Sequence, residues 1–168
     1  MEEEDKEILG EVPLSQRINY GLSEFCPTFL NAVVTGSMLI FYTDFIVLDD
    51  YKVFGYAMLI FGFWDMVNNP IFAKYSDQKV PHPQKGKRKP YMIWGLPVIF
   101  FGYLLLTVCP RGWNDTKIFL LVFISMFIFD TGLAMYLVAL TALSITITKD
   151  PDERTGLNMI RAWVRMIP

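Results

Sequence analysis

Trp64-Asp65-Met66-Val67-Asn68-Asn69-Pro70 lies inside an apolar stretch that runs from Val53 to Ala73 and is bracketed by Lys52 and Lys74. A bilayer-crossing helix needs about 20 residues of this kind. A carboxylate near the middle of such a helix costs about 2.5–3.5 kcal/mol on insertion scales. An intramembrane charge therefore points by default to a use for it, here a cation or proton site in a membrane transport protein. On a helix Asp65, Asn68 and Asn69 fall at i, i+3 and i+4 and share one face. A carboxylate with amide oxygens is a set of hard donors suited to Na⁺, or to a proton with hydrogen-bonding neighbours. Pro70 would free the Met66 carbonyl as a further ligand. The plainer reading is a polar patch that holds helices together.

The rest of the chain has the same character. Of its 168 residues 53% are hydrophobic, and they fall in blocks of roughly twenty, which is the pattern of membrane helices. Met1 to Glu24 reads as a polar tail with a short amphipathic lead-in from Leu14 to Tyr20. Spans are predicted at about 25–48, 53–73, 91–110 and 118–146, with an incomplete fifth over 157–168. Lys149 to Arg154 is read as a polar connection, and the loop from Lys74 to Pro90 as the longest and most basic. The tail, that loop and the fourth connection carry ten Lys and Arg: Lys6, Arg17, Lys74, Lys79, Lys85, Lys87, Arg88, Lys89, Lys149 and Arg154. The other two connections carry three, Lys52, Arg111 and Lys117. The excess of basic residues predicts a cytoplasmic N-terminus. The start, Met1-Glu2-Glu3-Glu4-Asp5-Lys6-Glu7, is the opposite of a basic leader, so no cleavable signal peptide is expected.

Enzyme signatures are absent. The one histidine, His82, sits in a Pro-rich loop, and there is no Gly-rich phosphate loop or nucleophile elbow. The single basic cluster is short and lies between two spans, so no nucleic-acid partner is expected. Two isolated cysteines, Cys26 and Cys109, make no metal or disulfide framework. Other polar residues remain. Glu24, Thr28, Asn31 and Thr35 form a stripe down the first span, which could line a water-filled cavity or join helices with Gly36 and Ser37. Asp130, Thr141, Ser144 and Thr148 follow one side of the fourth span, with Leu137 between them, and Asp130 is a second intramembrane carboxylate. Arg161 and Arg165 could supply a counter-charge or a substrate contact, or simply snorkel to the interface.

Five motifs in order resemble the glycoside–pentoside–hexuronide:cation symporters, the melibiose permease-like branch of the major facilitator superfamily. They are Asn19-Tyr20-Gly21-Leu22, Phe41-Tyr42-Thr43-Asp44, Trp64-Asp65 with Asn68-Asn69-Pro70, Lys87-Arg88-Lys89-Pro90-Tyr91, and the run from Asp150 to Arg161. The resemblance implies an all-α membrane protein, a partial N-terminal helical bundle of four transmembrane helices and the start of a fifth. It implies cation-coupled symport of a sugar or related solute in the plasma membrane, with Na⁺ or H⁺ as coupling ion and no other cofactor. Asp65 then matches the first cation-binding carboxylate of helix two, with Asn68 beside it and Asn69 where the second carboxylate usually stands. Thr28 replaces the sugar-binding Asp of helix one. Leu137 replaces that of helix four, with Asp130 about two turns earlier. Arg161 fits the substrate-contacting Arg of helix five, and the substrate set becomes Thr28, Asn31, Asp130 and Arg161. Asp77 with Lys87 and Arg88 resembles the gating motif of the loop between helices two and three. Family members have about twelve helices. The chain is thus expected to be a fragment, one chain of a split transporter that partners the missing helices, or an inactive or regulatory membrane protein. A related branch moves lysophospholipids, and Thr28 and Leu137 would suit a more apolar solute of that kind.

Overall fold

A computed structural model describes residues 12–46, 51–78, 88–110, 112–148 and 150–167. Every element among these residues is helical: α1 (Leu14–Leu22), α2 (Phe25–Ile40), α3 (Tyr51–Gln78), α4 (Lys89–Thr107), α5 (Asp115–Ile147) and α6 (Pro151–Arg165). This is the all-α bundle expected of the N-terminal part of the transporter fold.

Several boundaries differ from the sequence reading, each for a local reason. The helix expected over 25–48 is α-helical only through Ile40, after which Phe41–Phe45 widens into a π-helical turn. The helix expected over 53–73 runs from Tyr51 to Gln78. Lys52 and Lys74 can extend along it toward water without ending it, and Pro70 sits inside it, as lipid-embedded helices tolerate when neighbours satisfy the freed carbonyl. The helix expected to begin near Leu157 begins at Pro151, so Pro151 to Arg154 are helical rather than a connection. The Asp150 side chain caps it, accepting from the Asp152 backbone N–H at 3.0 Å. Pro151 fills the first turn, where its missing N–H is no loss, and Asp152 and Glu153 face the positive end of the helix. By length and composition, two helices among the described residues are apolar enough to cross a membrane, Lys89–Thr107 and Asp115–Ile147. The first span falls short because its α-helical part has 16 residues. In α3 the charges and amides around Asp65 dilute the apolar run.

α5 is the centre of the bundle. It packs most extensively on α4 and next on α3. The α4–α5 seam is close because it is built on glycine. A Cβ at Gly102 would fall 2.6 Å from the Phe129 backbone nitrogen, and one at Gly132 would fall 2.6 Å from that of Ile99. Both are too near for any side chain, which is the close backbone approach that small residues permit between lipid-embedded helices. Ile99, Phe129 and Leu140 are buried along this seam.

Side-chain contacts fix the helix directions. Tyr75 meets Tyr91 edge to face, joining the end of α3 to the start of α4. The Tyr42 hydroxyl donates to the Leu106 carbonyl at 2.7 Å, joining the ends of α2 and α4. Trp64 stacks on Phe127 with ring centres 4.0 Å apart and Asn68 meets Asp130 further along both helices, so α3 and α5 run the same way. The Tyr20 hydroxyl donates to the Leu140 carbonyl at 3.1 Å, and that of Tyr136 to the Ser23 carbonyl at 2.8 Å. These two bonds tie the junction of α1 and α2 to the far end of α5. Successive long helices therefore alternate in direction, as membrane crossings must.

Candidate functional site

Two polar clusters lie inside the bundle, and they differ in composition. The first is between α3 and α5. Asn68 is completely buried, and its Nδ2 donates to Asp130 Oδ2 at 2.6 Å. Asp130 is also buried, 6% exposed. Asp65, one turn before Asn68 and itself exposed, comes near enough to Asp130 for the two acids to feel each other's charge. The Asn68 amide oxygen, Oδ1, is buried with no hydrogen-bond partner. Among the described residues no Lys or Arg pairs with either acid. The cluster thus holds two carboxylates, one amide and one unused acceptor.

The second cluster joins α1, α2, α5 and α6 at the end of the bundle where α5 gives way to α6. Glu24 is completely buried. Its Oε2 accepts from Arg161 Nε at 2.9 Å and from Nη2 at 2.6 Å. Its Oε1 accepts from Arg165 Nε at 3.1 Å and from Arg165 Nη2. Arg161 Nη1 donates to the Tyr20 hydroxyl and to Thr141 Oγ1, both at 3.2 Å. The guanidinium also lies over the Tyr20 ring, 5.5 Å from its centre. Both oxygens of the buried acid, and all three nitrogens of Arg161, have partners. A buried charge persists in a low-dielectric interior only when paired and hydrogen-bonded in this way.

The residues singled out by sequence separate between these clusters. Asp65, Asn68 and Asp130 come together, whereas Asn69 is exposed and lies outside the contact. Asp130, placed by resemblance in the substrate set with Thr28 and Asn31, instead contacts α3. An acid on one helix finds its partner by interhelical register, which motif order does not encode. Arg161, expected at the substrate, is held by Glu24, because a buried carboxylate is a stronger partner for a guanidinium than a neutral hydroxyl. Thr28 is half-buried and Asn31 exposed on α2. Along that stripe the hydroxyls turn back on their own helix. Thr35 donates to the Asn31 carbonyl at 2.8 Å and Ser37 to that of Val33 at 2.5 Å. Of the gating residues, Arg88 donates to Ser76 Oγ at 2.8 Å. Lys87 and the Asp77 side chain lie outside the described residues. Sequence reasoning missed the role of Glu24. The only signal was its position one helical turn before Thr28, in a stripe otherwise made of neutral groups.

Residues 19–167 match the family described as MFS/sugar transport protein. The chain is similar to an isoprimeverose transporter of Lactiplantibacillus pentosus, with 26% identity over 154 residues. That alignment takes in 91% of this chain and 31% of the relative, so the chain spans about a third of the length of the curated relative it matches. No solved structure matches it.

Proposed function

The chain belongs to the MFS/sugar transport protein family, and on that premise we propose that it forms the N-terminal part of a transporter that moves a sugar or a related small organic solute by cation-coupled symport. The family is one of integral membrane transporters, not enzymes. The observation that carries the coupled reading is the acid pair Asp65 and Asp130 beside the buried Asn68. Intramembrane acids without a basic partner are expensive and mark ion paths, and oxygen donors of this type suit Na⁺ or H⁺. A sugar as solute is supported by the family and by the name of the relative. Thr28 and Asn31, on the open side of α2, are the residues proposed to meet it. Arg161 would act there indirectly, by fixing α6 against α2 through Glu24. The basic loops favour a cytoplasmic N-terminus in the plasma membrane. The partners are the lipid bilayer and the further helices such a transporter needs.

The test is uptake of labelled sugars into vesicles carrying the protein together with any sequence that continues its reading frame. Accumulation should require an inward Na⁺ or H⁺ gradient, and Asp65→Asn should uncouple it. Accumulation that ignores both gradients would exclude symport.

A further inference from the structure

Pro27 stands in the first turn of α2 and is buried. A proline has no backbone N–H, so the carbonyl four residues back, that of Ser23, receives no bond from its own helix. Tyr136 of α5 takes the place of the missing donor, its hydroxyl reaching the Ser23 carbonyl at 2.8 Å. Lipid-embedded helices tolerate proline when a neighbour satisfies the freed carbonyl in this way. We infer that Tyr136 is a positioning residue for the solute. By satisfying Ser23 from α5 it fixes the angle between α1 and α2, and with it the direction in which Thr28 and Asn31 face. The inference rests on the proposed reading of Thr28 and Asn31 as solute-facing residues and deepens it.

The backbone shows that α1 and α2 are two segments of one span. Ser23 and Glu24, between them, both keep right-handed helical angles. The turn is tightened there, because the Glu24 N–H bonds three residues back to the Gly21 carbonyl at 3.0 Å. Regular spacing resumes with the Thr28 N–H on the Glu24 carbonyl at 3.2 Å. A proline next to a tightened turn is an ordinary cause of a bend.

The two segments are tied to different neighbours. α1 belongs to α6: Arg17 pairs with Glu153 at 2.7 Å, and a Cβ on Gly21 would fall 2.5 Å from Ile160 Cγ2. The far end of the first span is held to α4 through Tyr42 and the Leu106 carbonyl. The angle between the segments is therefore decided at the joint. Two neighbours grip consecutive residues there, α5 through Tyr136 on Ser23 and α6 through Arg161 and Arg165 on Glu24. Tyr136 is itself firmly seated. It is buried, and a Cβ on Gly95 of α4 would fall 3.0 Å from its Cβ and 3.1 Å from its backbone nitrogen. Thr28 follows Pro27 directly and Asn31 lies one turn on, so a change of angle at the joint re-aims both.

The experiment uses the protein with any sequence that continues its reading frame, in vesicles. Nitroxide labels replace Leu14 and Ile40, both exposed, with Cys26 and Cys109 changed to serine. Spin–spin distances then report the angle, and uptake of a panel of ¹⁴C-labelled mono- and disaccharides reports the solute. Tyr136→Phe should broaden the distance distribution. It should raise the half-saturation concentration about tenfold, the scale of one buried hydrogen bond, with a smaller change in maximal rate. Pro27→Ala restores a backbone N–H that can reach the Ser23 carbonyl. Pro27→Ala with Tyr136→Phe should therefore regain a narrow distribution, at a longer, straighter distance, and regain resistance to unfolding, while half-saturation stays raised. Recovery of half-saturation together with stability would overturn the positioning role and leave a purely structural bond. An unchanged distance distribution in Tyr136→Phe would overturn the joint itself, with the transport reading intact. Absence of sugar uptake by wild type would overturn the proposed function and the solute role together.

Discussion

The cluster around Glu24 and the cluster around Asp130 are both buried, polar and built across helices, yet they are opposites in charge balance. Glu24 meets two guanidinium groups and has both oxygens occupied. Asp130 meets an amide and another acid, and the amide keeps an idle acceptor. The first is closed and complete. Among the described residues the second has no positive charge. A closed network specifies packing, because every partner is already chosen. An open one has capacity left for something that comes and goes. The difference separates a part that holds the bundle together from a part that can work.

The largest expected effect tests the closed side. Glu24→Gln removes the acid that faces Arg161 and Arg165, leaving the buried guanidinium of Arg161 without that counter-charge. Breaking a buried pair from one side costs about 3–5 kcal/mol, measured as lost stability in chemical unfolding of the protein in detergent. Replacing Glu24 and Arg161 together by leucine should recover most of that loss, since a matched apolar pair of similar volume is often neutral. Arg165, 57% exposed at its side chain, can then turn outward. If Glu24→Gln is silent, the cluster is not structural and the contrast with Asp130 disappears.

A smaller effect belongs to Tyr20→Phe. The hydroxyl accepts from Arg161 Nη1 and donates to the Leu140 carbonyl. The ring stays under the guanidinium, so the cation–π contact survives. Loss of the two hydrogen bonds should lower stability by about 1–2 kcal/mol, again by unfolding in detergent. A loss as large as that of Glu24→Gln would mean that the tyrosine, not the acid, organises this end of the bundle.

How far these clusters could be read in advance depends on sequence distance. Asp65 and Asn68 share a face because three residues make most of a helical turn, so their proximity follows from spacing alone. The bundle and its number of long helices also followed from the apolar blocks. Asn68 and Asp130 are 62 residues apart, and Glu24 and Arg161 are 137 apart. Those meetings depend on how far one helix slides along another. For Asn68 and Asp130 that is fixed by the stacking of Trp64 on Phe127, on the same two helices. Arg161 shows the consequence. Its position in a motif suggested a substrate contact, but only packed helices reveal that Glu24 has claimed it. The early start of α6 had a local cue, Asp150-Pro151-Asp152, which is a cap followed by a first-turn proline.

The smallest expected effect tests the open side. Asp130→Asn in Na⁺-free detergent changes two terms of opposite sign. The hydrogen bond from Asn68 loses its charged acceptor and falls from the class worth about 1.5–3 kcal/mol to the neutral class worth about 0.5–1.5 kcal/mol. The substitution also removes the acid that faces Asp65, which relieves the repulsion between them. The two nearly cancel, so stability should stay within about 1 kcal/mol of wild type. A drop comparable to that of Glu24→Gln would place Asp130 among the groups that hold the helices together, and the two clusters would then be the same kind of structure. A near-neutral result would mean that the fold does not need the Asp130 charge.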